Sequence, residues 1–144
     1  MHTESSLGWG GQEMRIMREL VGLSRDSFRP LLVCQPDSQF AKKAEAQEID
    51  TELVKMRGNI DPLSVIKFIR LYHRRKVDIV HTHSNADSWN ASIAAKLSPR
   101  RPTVVRTRHL SVPFNNRLIY NFMADRVVTV GESLHQFMSR RGYE

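Results

Sequence analysis

Short runs of β-branched and apolar residues alternate along the chain with longer stretches in which apolar residues recur every three or four positions. Segments 31–34, 78–81, 103–106 and 126–130 have strand length and are rich in Val, Ile or Thr, and 52–56 reads as a further short strand. The stretch 12–23 carries Met14, Met17, Leu20 and Val21 at helical spacing. Asp61 followed by Pro62 supplies an N-cap and a first-turn proline, and Leu63, Ile66 and Ile69 extend that helix to His73. Segments 86–97, 116–124 and 132–141 read as helices, the last closed by Gly142, and 40–47 as a shorter one. Strands and helices in this alternation imply βαβ crossovers, hence an α/β Rossmann-like fold: a parallel sheet with helices on both faces. Ligands of such folds gather at the carboxyl ends of the strands, so those loops hold the candidate chemistry.

Composition narrows the class without naming a function. The 144 residues, 40% hydrophobic and 26% charged, suit one globular domain over 1–144. No apolar run approaches the roughly 20 residues that span a bilayer, and residues 1–6 show no basic start leading into an apolar stretch, which together give the expectation of a cytoplasmic protein. Cys34 is the sole cysteine and lies in an apolar run, so it is expected to pack in the core. The net charge of +7 favours phosphate-bearing or polyanionic partners.

Four strand-end loops carry the candidates. In the loop 8–13, Gly8, Gly10 and Gly11 precede a helix, so backbone N–H groups and the helix dipole could meet a phosphate. A plain glycine turn explains the loop equally well, and neither the dinucleotide fingerprint nor a P-loop is present. After the second strand, alternation puts His81 and His83 on one side; no third metal ligand follows from the spacing, and no metal is expected. His83, Ser84 and Asn85 suit polar recognition of a sugar, with a helix cap by Ser84 or Asp87 as the competing role. Arg106, Arg108 and His109 leave a strand together, which is costly without a cleft or an anion; the other reading points both arginines into solvent. A cap by Glu132 or Ser133 accounts for the loop after Gly131, and carboxylates are scarce at the strand ends, which disfavours hydrolysis by a carboxylate pair.

In their order and spacing these pieces, from Glu4-Ser5-Ser6 through Gly10-Gly11-Gln12-Glu13, then 78–84, 105–109 and 124–132, resemble the amino-terminal domain of family 4 retaining glycosyltransferases of GT-B fold. Among them the chain is similar to bacterial enzymes that extend lipopolysaccharide and related envelope glycans. The resemblance implies that Gly10 and Gly11 approach the donor diphosphate and that His109 lies beside the reacting sugar as the catalytic position, orienting the donor or helping the acceptor hydroxyl lose its proton. Gln12, His83, Ser84 and Arg108 are the expected substrate contacts, Arg108 on its own chemistry rather than on a family role. The implied partners are a nucleotide-sugar donor and a glycan or lipid-linked acceptor, with no cofactor and no nucleic acid. Lys67, Arg70, Arg74, Arg75, Arg100 and Arg101 suit peripheral contact with an anionic membrane.

The resemblance also implies a donor-binding carboxy-terminal domain that this sequence does not reach, and a first strand starting before Met1, of which residues 1–4 remain. The expectation is therefore half of an enzyme, inactive alone. Two readings of other classes are a non-catalytic Rossmann-like module binding phosphate-bearing ligands or nucleic acid, and a nicotinamide-dependent enzyme, which the incomplete glycine fingerprint disfavours.

Overall fold

The apolar runs become six parallel strands in a computed structural model that describes residues 1–23, 28–109 and 118–143. In chain order the elements are β1 (His2–Glu4), α1 (Gly11–Leu23), β2 (Leu32–Cys34), α2 (Gln39–Glu45), β3 (Thr51–Leu53), α3 (Pro62–Arg74), β4 (Ile79–Thr82), α4 (Asn85–Leu97), β5 (Thr103–Arg108), a π-helical turn (Ile119–Met123), β6 (Arg126–Thr129) and α5 (Glu132–Ser139). The strand order is β3-β2-β1-β4-β5-β6. The chain builds outward from β1 to β3, then crosses back to place β4 on the other side of β1. That reversal makes the gap between β1 and β4 the switch point of the sheet, where the loops above the strands diverge and leave room for a ligand. His2 pairs with His81 and Thr3 with Thr82 across it.

Alternation along β2 separates two cores. Leu32 and Cys34 face α1 and α2, in a cluster with Ile16, Met17, Leu20, Phe40 and Ala44. Leu31 and Val33 face α3 and α4, with Val80, Val104, Phe68, Leu71 and Tyr72. Helices thus cover both faces, and Cys34 is a buried core residue. The small side chains Ala91, Ala94 and Ala95 let α4 lie close to the sheet and to α3, where the Tyr72 hydroxyl donates to the Ala91 carbonyl at 2.8 Å. Removing Phe68 from water contributes about 1.5–3 kcal/mol, which makes α3 a helix held by packing more than by propensity.

Two apolar stripes differ from expectation. On α1 the buried residues are Glu13, Ile16, Met17 and Leu20, while Met14 is exposed. On α3 they are Ser64, Val65, Phe68, Leu71 and Tyr72, and Leu63 and Ile66 face outward. In α3 the bulkier Phe68 and Tyr72, one turn apart, win the sheet-facing side over the aliphatic series. The helix expected over 116–124 is instead a π-helical turn, in which the Ala124 N–H reaches back to the Ile119 carbonyl at 3.1 Å; residues 116 and 117 lie outside the described residues. At the end of α5, Gly142 has φ +72° and the Tyr143 N–H returns to the Met138 carbonyl, the left-handed closure expected of that glycine. No side chain caps the start of α5; Glu132 instead accepts from Gln136.

Asp61 is the joint between the two halves of the sheet. Its carboxylate accepts from the Leu63 N–H, the Arg57 N–H and the Ser64 hydroxyl, and its own N–H donates to Asn90 on α4. These bonds, led by the one from Ser64, hold its pKa below the usual carboxylate range. Asp61→Ala is expected to lower the unfolding free energy by about 1–2 kcal/mol in denaturant titration at neutral pH. A folded pKa below the unfolded one means this contribution is complete above the ordinary carboxylate range and is lost as pH falls through the lowered value, so the gap to wild type should close in acid.

Candidate active site at the carboxyl ends of the strands

β1 ends at the switch point on Glu4, whose side chain is fully buried. Its carboxylate accepts from the Ser6 N–H at 2.8 Å, from the Gln12 side-chain amide and from the Ser84 hydroxyl; Gln12 also donates to Ser84 at 3.0 Å. The loop after β1, the first turn of α1 and the start of α4 are thereby tied to one charge. Burial raises the Glu4 pKa against the pull of these donors. Behind it, the buried Asp87 accepts from the Thr3 hydroxyl at 2.8 Å and from the His83 N–H at 2.9 Å, closing the amino end of α4. Burial first, and Glu4 second, push its pKa up to about 7. No side chain caps the first turn of α4: Asp87 reaches back to the His83 N–H ahead of the helix, and Ser84 turns to Glu4.

The glycine loop enters α1 through Gly10, whose N–H donates to the Glu13 carboxylate at 2.7 Å. That closure resembles a capping box with glycine in the cap position. Gly8 donates to the Ser6 hydroxyl at 3.1 Å. Gly11, the first residue of α1, is exposed, and a methyl group added to it would meet nothing within 4 Å. Of the two glycines expected at a phosphate, Gly11 has the open approach and Gly10 is engaged by its own helix.

Histidines line the α1 face of the switch point. The rings of His81 and His83 lie 4.3 Å apart, on one side of β4 as alternation required. His2 on β1 joins them, its Nδ1 3.1 Å from His83 Nε2. On the far side His83 Nδ1 meets His109 Nε2 at 3.1 Å, and His81 Nε2 meets the Thr107 hydroxyl at 2.5 Å. Burial is the largest cause that lowers every one of these pKa values: His2 to about 3, His81 and His109 to about 4, and His83 well below the usual range. All four imidazoles are neutral at physiological pH, and His109, half-buried at the end of β5, is the one nearest the open edge.

Arg106 and Arg108 part company. Arg106 is buried, donates to the Ser84 carbonyl at 2.6 Å and lies over the Tyr120 ring at 4.8 Å. It points neither into solvent nor into a cleft, contrary to both sequence readings, because its position on β5 faces α4. Arg108 is half-buried at the last position of β5, two residues nearer the edge. The continuation of that loop, 110–113, lies outside the described residues. A groove lined by Ala95, Lys96, Arg101, Pro102 and Asp125 sits at the opposite edge of the sheet, near the start of β5, away from this chemistry.

The structure thus brings Gln12, Ser84, His83 and His109 together around the switch point, with Gly10 and Gly11 at its rim. Sequence reasoning missed Glu4, Asp87 and His2 as members of the candidate site. The signal for Glu4 and His2 was their alternation in the polar triplet His2-Thr3-Glu4, placed by its flanks in the middle of a sheet.

The sequence matches the family model described as Glycosyltransferase Family 4 over residues 9–144. No curated protein matches it. Three solved structures are similar in fold: HepE of Anabaena in complex with UDP-glucose (TM-score 0.78, 19% identity, 99% of this chain and 40% of that one), a glycosyltransferase of Rickettsia africae (TM-score 0.77, 19% identity, 95% and 38%) and MurG of Acinetobacter baumannii (TM-score 0.72, 14% identity, 92% and 42%). The chain spans about two fifths of the length of each.

If Arg106 holds the fold rather than a ligand, Arg106→Met should lower the unfolding free energy by about 1.5–3 kcal/mol, the cost of a lost charged hydrogen bond. A variant as stable as wild type in urea titration would return Arg106 to the ligand-facing set.

Proposed function

The chain belongs to glycosyltransferase family 4, and on that premise we propose that it forms the acceptor-side half of an enzyme that moves a sugar, with retention, from a nucleotide-sugar donor to a glycan or lipid-linked acceptor. The reading places the protein in the cytoplasm, in bacterial envelope polysaccharide or lipopolysaccharide synthesis. The observation that carries it is the convergence of Gln12, Ser84, His83 and His109 on the carboxyl edge at the β1/β4 switch point. HepE holds UDP-glucose, and a UDP-sugar is the donor class carried over to this chain. A second, donor-gripping domain completes the enzyme, and this half alone does not transfer sugar.

In this account the Gly11 N–H and the amino end of α1 face the donor diphosphate and favour it as negative charge grows on departure. The neutral imidazole of His109, its Nε2 held by His83, has Nδ1 left for the substrate, either to orient the donor sugar or to accept from the acceptor hydroxyl, according to its tautomer. Gln12 and Ser84 exchange part of their bonding to Glu4 for the substrate, and Arg108 meets an anionic group. Peripheral attachment to an anionic membrane falls to Lys67, Arg70 and Arg101. Arg74, Arg75 and Arg100 of the original basic set are paired with Glu52, Asp50 and Asp78. No helix among the described residues is long and apolar enough to cross a membrane.

In an enzyme carrying this chain and a donor-binding domain, His109→Ala is expected to lower kcat by about 100-fold with little change in Tm. Wild-type turnover would remove His109 from the site. Gly11→Ala separates ligand approach from folding, since alanine is favoured over glycine in a helix by roughly 0.5–1 kcal/mol and the space is open. The expected result is unchanged or higher Tm with a raised donor KM; an unaltered KM would place the diphosphate elsewhere.

A further inference from the structure

Where β1 and β4 face α1, the sheet presents the imidazoles of His2 and His81 in the row that neighbouring β2 fills with Leu32. His2 and His83 are both about 5% exposed, and His81 is half-buried between them. Helix α1 packs over this face of the sheet. It presents Glu19, whose Oε2 lies 3.9 Å from His2 Nδ1. One ligand atom from each of His2, Glu19, His81 and His83 can be chosen so that all lie within 4.8 Å of one another. From this geometry we propose that His2, Glu19, His81 and His83 form a zinc(II) site that joins β1, β4 and α1.

Zinc takes imidazole nitrogens and a carboxylate oxygen at about 2.0–2.2 Å in tetrahedral sites, which sets ligand atoms roughly 3.4 Å apart. The His2–His83 separation of 3.1 Å and the His2–Glu19 separation of 3.9 Å bracket that edge, and with all four ligand atoms within 4.8 Å of one another, side-chain shifts that draw in the widest pairs close the shell. Ligands of real metal sites are oriented by outer partners. Here His83 Nδ1 engages His109, His81 Nε2 engages Thr107, and Glu19 Oε1 accepts from Arg15 Nε at 2.9 Å. One anionic and three neutral ligands leave a net charge of +1 on a zinc site, which Arg15 does not neutralise; the carboxylate of Glu4 lies beyond His2 at the end of β1. The site contains His83, the residue that holds His109, but does not depend on the glycosyl-transfer reading.

The test uses the 144-residue chain without an affinity tag, stripped with chelator and titrated with ZnCl2 by calorimetry against a competing chelator. Cobalt(II) is then substituted to read coordination number from its visible spectrum. The expected result is one zinc per chain, a four-coordinate cobalt spectrum and a Tm that rises with zinc. Glu19→Gln, a change on the partly exposed surface of α1, should keep the metal-free Tm and weaken zinc at least tenfold; His81→Gln and His2→Gln should abolish tight binding. The exposed His73 and His135 give the background, measured in the His73→Ala/His135→Ala variant, which should bind as wild type does. Zinc affinity that is unchanged in Glu19→Gln and His81→Gln, or lost in the His73/His135 variant, or a six-coordinate cobalt spectrum, would overturn the site, as would the absence of binding to wild type. His2→Gln occupies a central strand; if it fails to fold, the Glu19 and His81 variants decide the outcome.

Discussion

A buried carboxylate at the end of the central strand governs the architecture of this molecule. Glu4 can stay in place only because its oxygens are met by a backbone N–H from its own loop, an amide from α1 and a hydroxyl from α4. An uncompensated charge there would cost several kcal/mol. Satisfying it ties the loop after β1 and the first turn of α1 to the start of α4, 80 residues away in sequence, and these segments form the rim of the switch point. The three-residue β1 is short for an inner strand, yet it pairs on both sides and delivers His2 and Glu4 to the same face. Packing and polar bonding at β1 are therefore one problem, solved by the same residues.

Most of the fold was legible in the sequence because its signals are local. The β-branched runs gave β2, β4, β5 and β6, Asp61-Pro62 gave the start of α3 to the residue, and the polar β1 was expected only through the family resemblance. What failed was the choice of helix face in α3, where an aliphatic series competed with bulkier residues one position away and only the sheet could decide between them; in α1 Met17 and Leu20 are buried as expected and Met14 is not. The π-helical turn was likewise invisible, since its register depends on where the chain must enter β6.

The site was legible by half for a related reason. His83, Ser84 and His109 stand at the ends of recognisable strands, so the rule that ligands meet the carboxyl edge of a parallel sheet found them. Their partners did not. Glu4 reaches Ser84 across 80 residues and His2 reaches His83 across 81, and no periodicity encodes such pairs. Arg106 was misread because a strand residue's outward or inward direction at its last turn follows from helix α4 and Tyr120, which the sequence places far away. Membership in glycosyltransferase family 4 is consistent with this arrangement.

The central claim is that the carboxyl edge between β1 and β4 receives the donor. The most direct measurement is a crystal structure of the enzyme comprising this chain and its donor-binding domain, with a UDP-sugar bound. The account predicts the diphosphate within hydrogen-bond reach of the Gly11 N–H and the sugar in contact with His109. A donor bound with neither residue in contact, its sugar directed away from the β1/β4 edge, would contradict it.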